Sequence, residues 1–214
     1  TATPTQTPTR ASTPTATATA TPSPTPDRPP RVLDAGLAWR PPVIDGNLGD
    51  WTLDAGLLLD RQTADFVHPR VDPEPADSSA RVWAAWDADT LYLAARVLDD
   101  WPVADSEEVW HDDGMEWAFD GAMDGSFTGP DDHQITVTLD GRVMDRGVQD
   151  LPQVQRGVRT MAEGYVLELA VPLSVLQPPG WSAGQRLGFT LGLHDDDDGG
   201  DWDSYLICEV SSTT

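Results

Sequence analysis

From Arg31 onward apolar residues recur at every second position, in runs of six to ten residues bounded by Gly, Pro and Asp. That is the period of a strand with one buried face, not of a helix. In Thr90–Asp99, Leu91, Leu93, Ala95 and Val97 share one face while Tyr92, Ala94, Arg96 and Leu98 share the other. Met115, Trp117 and Phe119 oppose Glu116, Ala118 and Asp120; Ile135, Val137 and Leu139 oppose Gln134, Thr136 and Thr138. Each apolar set marks a core face. Further strands are predicted at 81–86, 155–161, 165–171, 187–194 and 204–210, and Asp140-Gly141 reads as a type I′ hairpin turn, with Glu163-Gly164 in a similar role. Only Ser174–Leu176 has the look of a helical turn. Nine or more strands without intervening helices cannot make a parallel sheet, which needs crossovers. The pattern predicts an all-β fold, a two-sheet antiparallel β-sandwich.

Residues 1–30 break the pattern. They hold 11 Thr and 8 Pro with no Gly, Val, Leu, Ile or aromatic residue, so nothing there can bury apolar surface to offset the entropy of ordering. The segment reads as a disordered linker, its Thr-Pro steps biased toward polyproline II and its hydroxyls open to O-glycosylation. The folded domain is expected to span 31–214. The chain starts at Thr1 with neither Met nor an apolar leader, and it reads as a piece of a longer protein.

Charge narrows the partners. The chain has 36 acidic residues against 13 Arg and no Lys, for a net charge of −23. Nucleic acid and anionic membrane surfaces are poor partners, because binding them relies on positive charge and counterion release. No apolar run approaches the roughly 20 residues of a membrane span. Neutral ligands and metal cations remain.

Nine Trp exceed what the core of one sandwich holds, because the two sheets stand only about 10 Å apart. Trp51, Trp83 or Trp86, and Trp117 alternate with the apolar face or sit at a strand start and are assigned to core or edge packing. Trp101, Trp110, Trp181 and Trp202 fall in loops among Asp, Glu, Gly and Pro. An indole face there suits the C–H face of a sugar ring, with neighbouring carboxylates taking hydroxyls. A second concentration of chemistry is the run His194–Asp203, with its six Asp. Such a run suits Ca²⁺, a hard cation with oxygen ligands. The EF-hand template fails, since Gly199 at loop position six puts His194 first and Tyr205 twelfth. A site of another kind is predicted from Asp99, Asp100, Asp195 and Asp197, with Asp112 in reach, because strand-end loops converge at one end of a sandwich.

Several ordered segments carry a resemblance. Pro42-Val43-Ile44-Asp45-Gly46-Asn47-Leu48-Gly49-Asp50-Trp51 resembles the opening of family 9 carbohydrate-binding modules. Ala80–Asp100 is similar to that family's next strand pair, and Trp110–Asp120 to its segment W-x-x-D-x-x-E-x-x-x-D. Gly164–Pro172 and Leu187–His194 follow in the same order. The resemblance covers about residues 41–207 and implies a jelly-roll-like sandwich from secreted polysaccharide-degrading enzymes, binding sugar chain ends and structural calcium. It implies that Trp110 stacks a terminal sugar and that Glu116 accepts its hydroxyls, with Asp113 in the same segment. Where the family places a sugar-contacting Arg, this chain has Thr136. The family's second stacking Trp is expected after the strand at 204–210, where the sequence stops at Thr214 without one; Trp202, in the preceding loop, is the substitute. A secreted or cell-surface, monomeric, non-catalytic module binding a polysaccharide or oligosaccharide follows.

Competing functions have less behind them. Asp112 and Asp113 are adjacent, so on a strand they point to opposite faces and cannot flank one glycosidic bond. No HExxH, glycine-rich phosphate loop or Ser-His-Asp order is present. A structural or surface-interaction sandwich without sugar binding is the alternative. Related sandwiches hold haem between Met and His, which makes Met115 or Met144 with His133 a remote third reading. Cys208 is alone and is expected buried on its strand.

Overall fold

The computed structural model describes residues 31–69, 73–126, 128–146, 148–149, 151–177 and 181–210. The Thr/Pro-rich segment lies outside the described residues. Two sheets form the fold. The first holds β1 (Ala35–Leu37), β2 (Leu57–Leu59), β4 (Ser79–Trp86), β5 (Thr90–Leu98), β10 (Gln155–Met161) and β11 (Gly164–Pro172), in the order β1-β4-β5-β11-β10, with β2 also on β4. The second runs β3 (Phe66–Pro69), β13 (Ser204–Val210), β12 (Gly188–Asp195), β6 (Gly114–Asp120), β7 (Asp132–Thr138), β8 (Val143–Asp145) and β9 (Val148–Gln149). Every pairing is antiparallel except that of β1 with β4, which is parallel. One turn of helix, α1 (Leu173–Leu176), follows β11.

The apolar alternation does the packing. Leu93, Val97, Met115, Trp117, Phe119, Ile135, Val137, Leu167, Leu169 and Leu191 are all within 1% of fully buried between the sheets. Burying each such side chain contributes about 1.5–3 kcal/mol before entropy is charged against it. The hairpin at Asp140-Gly141 departs from the predicted turn type. Gly141 has φ of 86° while Asp140 keeps a negative φ, and Gly141 N–H donates to Thr138 C=O. This is a tight turn closed by one left-handed glycine, which Asp140 can enter because only Gly141 must leave the usual region. Of the short strands, β8 is the second arm of the hairpin predicted at Asp140-Gly141, while β1, β2, β3 and β9 go beyond the prediction; at two to four residues they are too brief to display an alternation.

The Ile44–Trp51 stretch has a physical role. Glu168 lies on β11 with the opposite parity from Leu167 and Leu169, so it points to the outer side of the first sheet, yet it is fully buried. The chain folds over it. Asp45 N–H (3.0 Å), Gly46 N–H and Asn47 N–H (3.1 Å) donate to Oε2, and the Trp51 indole donates to Oε1 at 2.5 Å. Glycine at 157, opposite Glu168 on β10, lets the segment lie this close, for a Cβ there would stand 2.6 Å from Asp45 N. Replacing Glu168 by Leu strands these buried donors and should destabilise the domain by about 3 kcal/mol. A urea midpoint followed by Trp fluorescence measures this, and a shift of less than about 1 kcal/mol contradicts the tether.

Candidate functional site

The outer face of the second sheet is built by the residues that alternate with the core set. Glu116 projects there from β6, across from Thr136 on β7 and Gly192 on β12. His194 and Tyr205 are paired on β12 and β13 and stack with ring centroids 4.3 Å apart. Tyr205 Oη donates to Glu116 Oε1 at 3.2 Å. Gly192 makes this possible, because a Cβ there would meet the Tyr205 ring and hydroxyl at 2.8 Å and Glu116 Cβ at 3.1 Å. His194 Nε2 stands 3.8 Å from Glu116 Oε2, within ion-pair reach but beyond a hydrogen bond, and neither ring nitrogen has a hydrogen-bond partner among the described residues. Burial alone would raise the Glu116 pKa; His194, Gln134 and Tyr205 more than offset it and hold the carboxyl below its ordinary value. Glu116 is therefore an anionic acceptor, with the Tyr205 hydroxyl donating to it.

Two loops bring Trp to this end. Trp110, 36% exposed, meets the His111 ring at 88° with centroids 5.7 Å apart. His111 Nε2 in turn lies 3.5 Å from Asp201. Trp202, the next residue, sits edge-on to His68 at 4.9 Å and 6.3 Å from Tyr205. Trp202 thus connects through Tyr205 to Glu116, and Trp110 joins the same loop through His111 and Asp201. Sequence reasoning missed Tyr205 and His194, although both share the parity of Glu116 in registered strands. Thr136 is buried beside Glu116, where the resemblance expects Arg.

Other predicted residues fall elsewhere. Asp113 has the parity of Met115 and Trp117, so it points between the sheets and not onto the outer face that carries Glu116. It groups with Asp99 and Asp195, all three buried, each offering an oxygen within 4.8 Å of the others. Asp100 and Asp197 form a separate group with Asp77. The four predicted ligands therefore divide between two sets, because neighbours Asp99 and Asp100 face opposite ways at the strand end. Trp181 is not a loop platform; it packs on the core with its ring 5.7 Å from Trp86 at 88°. Trp101 is 65% exposed, and Trp39, which the sequence reading passed over, is 89% exposed. His133 Nδ1 pairs with Asp145 Oδ2 at 2.7 Å and Nε2 with Val175 C=O at 2.9 Å, so both nitrogens are engaged and neither is free for an axial haem bond. Cys208 is buried as expected.

The inward acidic group is held by neutral donors. Asp113 accepts from Val103 N–H and from Asp196 N–H at 2.9 Å; Asp195 accepts from Ser204 Oγ at 2.9 Å; Asp99 Oδ1 accepts from Trp101 N–H at 2.8 Å. Asp99 Oδ2 and Tyr165 Oη are buried with no partner among the described residues. Burial drives all three carboxyl pKa values up, Asp195 to about 8, with the neighbouring carboxylates adding to the rise at each. A further group joins Asp105, Asp112 and Asp196, and there Arg142 pairs with Asp112.

Comparison with known proteins follows the same outline. The family described as "Carbohydrate family 9 binding domain-like" matches residues 56–212. A chain from Caldicellulosiruptor kristjanssonii, a family 9 carbohydrate-binding module in complex with glucose, superposes with a TM-score of 0.63 at 19% identity, over 83% of this chain and 84% of that one. The same organism's module in complex with cellotriose gives 0.63 at 16% identity, covering 81% and 82%. Endo-1,4-beta-xylanase A of Thermoanaerobacterium saccharolyticum is 29% identical over 131 residues, which are 61% of this chain and 10% of that protein.

The raised carboxyls set the pH response in chelator. A carboxyl that holds its proton more tightly folded than unfolded stabilises the fold fully below its unfolded pKa of about 3.9 and loses that contribution as pH rises through the folded value. For Asp195 the loss runs to about 8. The melting temperature in EDTA should therefore fall steadily from about pH 5 to about pH 8, and Asp195→Asn should flatten the decline. A wild-type melting temperature that rises over this range contradicts the assignment.

Proposed function

Because the chain belongs to the carbohydrate family 9 binding domain-like family and is a carbohydrate-binding module, not a catalytic domain, we propose that it holds the end of a neutral glucan or xylan chain on the outer face of its second sheet. The observation that carries this reading is the hydrogen-bonded pair Glu116–Tyr205, with His194 stacked on the tyrosine, set between loops bearing Trp110 and Trp202. Indole faces supply stacking to pyranose C–H groups and Glu116 accepts hydroxyl hydrogens, with His194 packed behind it on the Tyr205 ring. The glucose and cellotriose bound to the two Caldicellulosiruptor modules and the xylanase context of the curated relative support β-1,4-linked chains as the class. They also support a secreted parent protein that degrades polysaccharide; the matched stretch is 10% of that relative's length, so the parent's activity is part of the proposal.

Calcium belongs to the same reading. The buried, unpartnered Asp99 Oδ2 beside Asp113 and Asp195 fits a hard cation, since three ionised carboxylates in one dry pocket repel without one. Asp77, Asp100 and Asp197 suit a second, more exposed ion. A bound cation would neutralise the strand-end loops that carry Trp110 and Trp202.

Stacking plus a charge-assisted hydrogen bond leaves about 2–4 kcal/mol for binding, so dissociation constants nearer millimolar than micromolar are expected. Calorimetric titration with cello- and xylo-oligosaccharides in Ca²⁺ measures this. Trp110→Ala should abolish binding with the circular dichroism unchanged, and Glu116→Gln and Tyr205→Phe should each weaken it less. A wild type that binds none of these sugars in Ca²⁺ contradicts the proposal and leaves a structural sandwich. Calcium should also raise the melting temperature where equal Mg²⁺ or salt does not; equal effects would mean screening alone.

A further inference from the structure

The outer face of the first sheet carries a row of arginines. Arg81 on β4, Arg96 on β5, Val166 on β11 and Arg159 on β10 are successive registered partners, so they stand side by side across four strands. Each has the parity opposite to a core-facing neighbour, Val82, Val97, Leu167 or Val158, and points away from the second sheet. Three of the 11 Arg beyond the linker thus share one line, in a chain whose carboxylates far outnumber them. Arg81 and Arg96 are directly opposite each other, and like charges in that position destabilise a sheet.

Little on the protein answers these charges. Glu163 Oε2 stands 3.7 Å from Arg96 Nη2, with the two side chains 74% and 50% exposed, which leaves the pair weak. Arg81 donates to the backbone C=O of Ala55, a neutral acceptor. The Arg159 guanidinium has neither an ion pair nor a hydrogen bond among the described residues. The row lies in a groove of about 660 Å³, in which Glu163 is the sole carboxylate among the described lining residues. Leu58, Leu98 and Val166 give the groove an apolar lining. The turn at 46–49 walls it beside Arg159, where a Cβ on Gly46 would stand 2.6 Å from Arg159 Cβ.

We infer that this groove binds a neutral polysaccharide chain through a carboxylate side group, a uronic acid carried on a xylan, held above Val166 between Arg96 and Arg159 with Arg81 on the flank. The planar guanidinium fork matches a carboxylate in two parallel hydrogen bonds. A densely charged polyanion would be repelled by the net charge of −23, whereas a lone carboxylate on a neutral chain meets only the local arginines, because salt confines each charge to about 8 Å. From Arg81 to Arg159 the row spans three strand spacings, about 14 Å, a length suited to a chain and not to a single small ion. The bound carboxylate would be the missing partner of Arg159 and would offset the repulsion between Arg81 and Arg96. That the partner is a glycan rests on the chain being a carbohydrate-binding module, not on the Trp110 face, which belongs to the other sheet.

The test compares one ligand in two forms: a xylo-oligosaccharide bearing a single glucuronic acid, and the same oligosaccharide with that carboxyl reduced to the alcohol. Calorimetric titration of the whole chain should show the acidic form binding about tenfold more tightly at low salt. The advantage should shrink as NaCl rises from about 50 to about 500 mM. Arg159→Gln, at an exposed position, should erase most of the advantage, and Arg159→Lys should restore only part, since lysine keeps the charge and loses the fork. Arg96→Gln should act in the same direction. Neither glutamine variant should alter the affinity for neutral cello-oligosaccharides, and Trp110→Ala should leave binding of the acidic form in place. The inference is overturned if the wild type binds the two forms equally, if Trp110→Ala removes the acidic advantage, or if polygalacturonate or polyglutamate binds the groove as tightly as the acidic oligosaccharide. An acidic advantage in a protein that binds no neutral sugar supports the groove and refutes the Trp110 face, so the two readings fail separately.

Discussion

The constraint on which the structure turns is how to bury carboxylates when cations are scarce. Beyond the linker the chain has 35 acidic residues and 11 Arg, too few guanidinium groups to pair with every acid the fold encloses. Backbone N–H groups serve instead. Glu168 takes three of them and an indole, Asp113 takes two, Asp112 takes two besides Arg142, and Asp60, Asp120 and Asp196 each take two. Each such acid fixes the loop that solvates it. The loops are therefore shaped from within by carboxylates, where a more basic chain would use salt bridges.

This has a direct consequence for the outer face that carries Glu116. Trp110 sits in a loop whose path is set by Asp112 and Asp113, which hold Val103, Asp105, Ser106 and, across the sandwich end, Asp196. Trp202 sits in the loop that contains Asp196, itself wrapped by Asp198 and Gly199 N–H. The aromatic platform is thus mounted on an acidic frame. The inner acids position the indoles, while Glu116, with its lowered pKa, lies on the outer face of the sheet. Two populations of carboxylate on one short strand segment do different work because alternate residues see opposite environments.

How much of this was legible follows from residue spacing. The long strands were readable because six or more residues suffice to display an alternation, and β10 and β13 begin and end where predicted. The short edge strands were not, since pairing with a neighbour, not pattern, makes them strands. Trp110, Trp202 and Glu116 are candidates by residue type and the family segment, and the structure brings them to one end of the second sheet. Asp113 was drawn into the sugar set by its place in that segment, although its parity with Met115 and Trp117 already pointed it inward. Tyr205 and His194 were hidden for a different reason: their relevance depends on which strands are neighbours, and the order β13-β12-β6 is a non-local fact that no window of sequence displays.

The same reasoning explains why Glu168 escaped notice. In Tyr165–Val171 it reads as the polar, outward member of an alternating strand, which by periodicity alone belongs in water. It is buried because a segment more than a hundred residues earlier folds across it and offers N–H groups at Asp45, Gly46 and Asn47. Those groups are available because the tight turn at Gly46, with φ of 79°, exposes successive amides to one side. A glutamate on the outer face of a strand and a turn with a left-handed glycine are each unremarkable by themselves. Together they make an anion nest and its anion, and the segment covers the outer side of the first sheet at Glu168, while on the second sheet's outer face Glu116 and His194 are buried against Tyr205. In both places a glutamate of outward parity is buried by a partner that the strand's own sequence does not display.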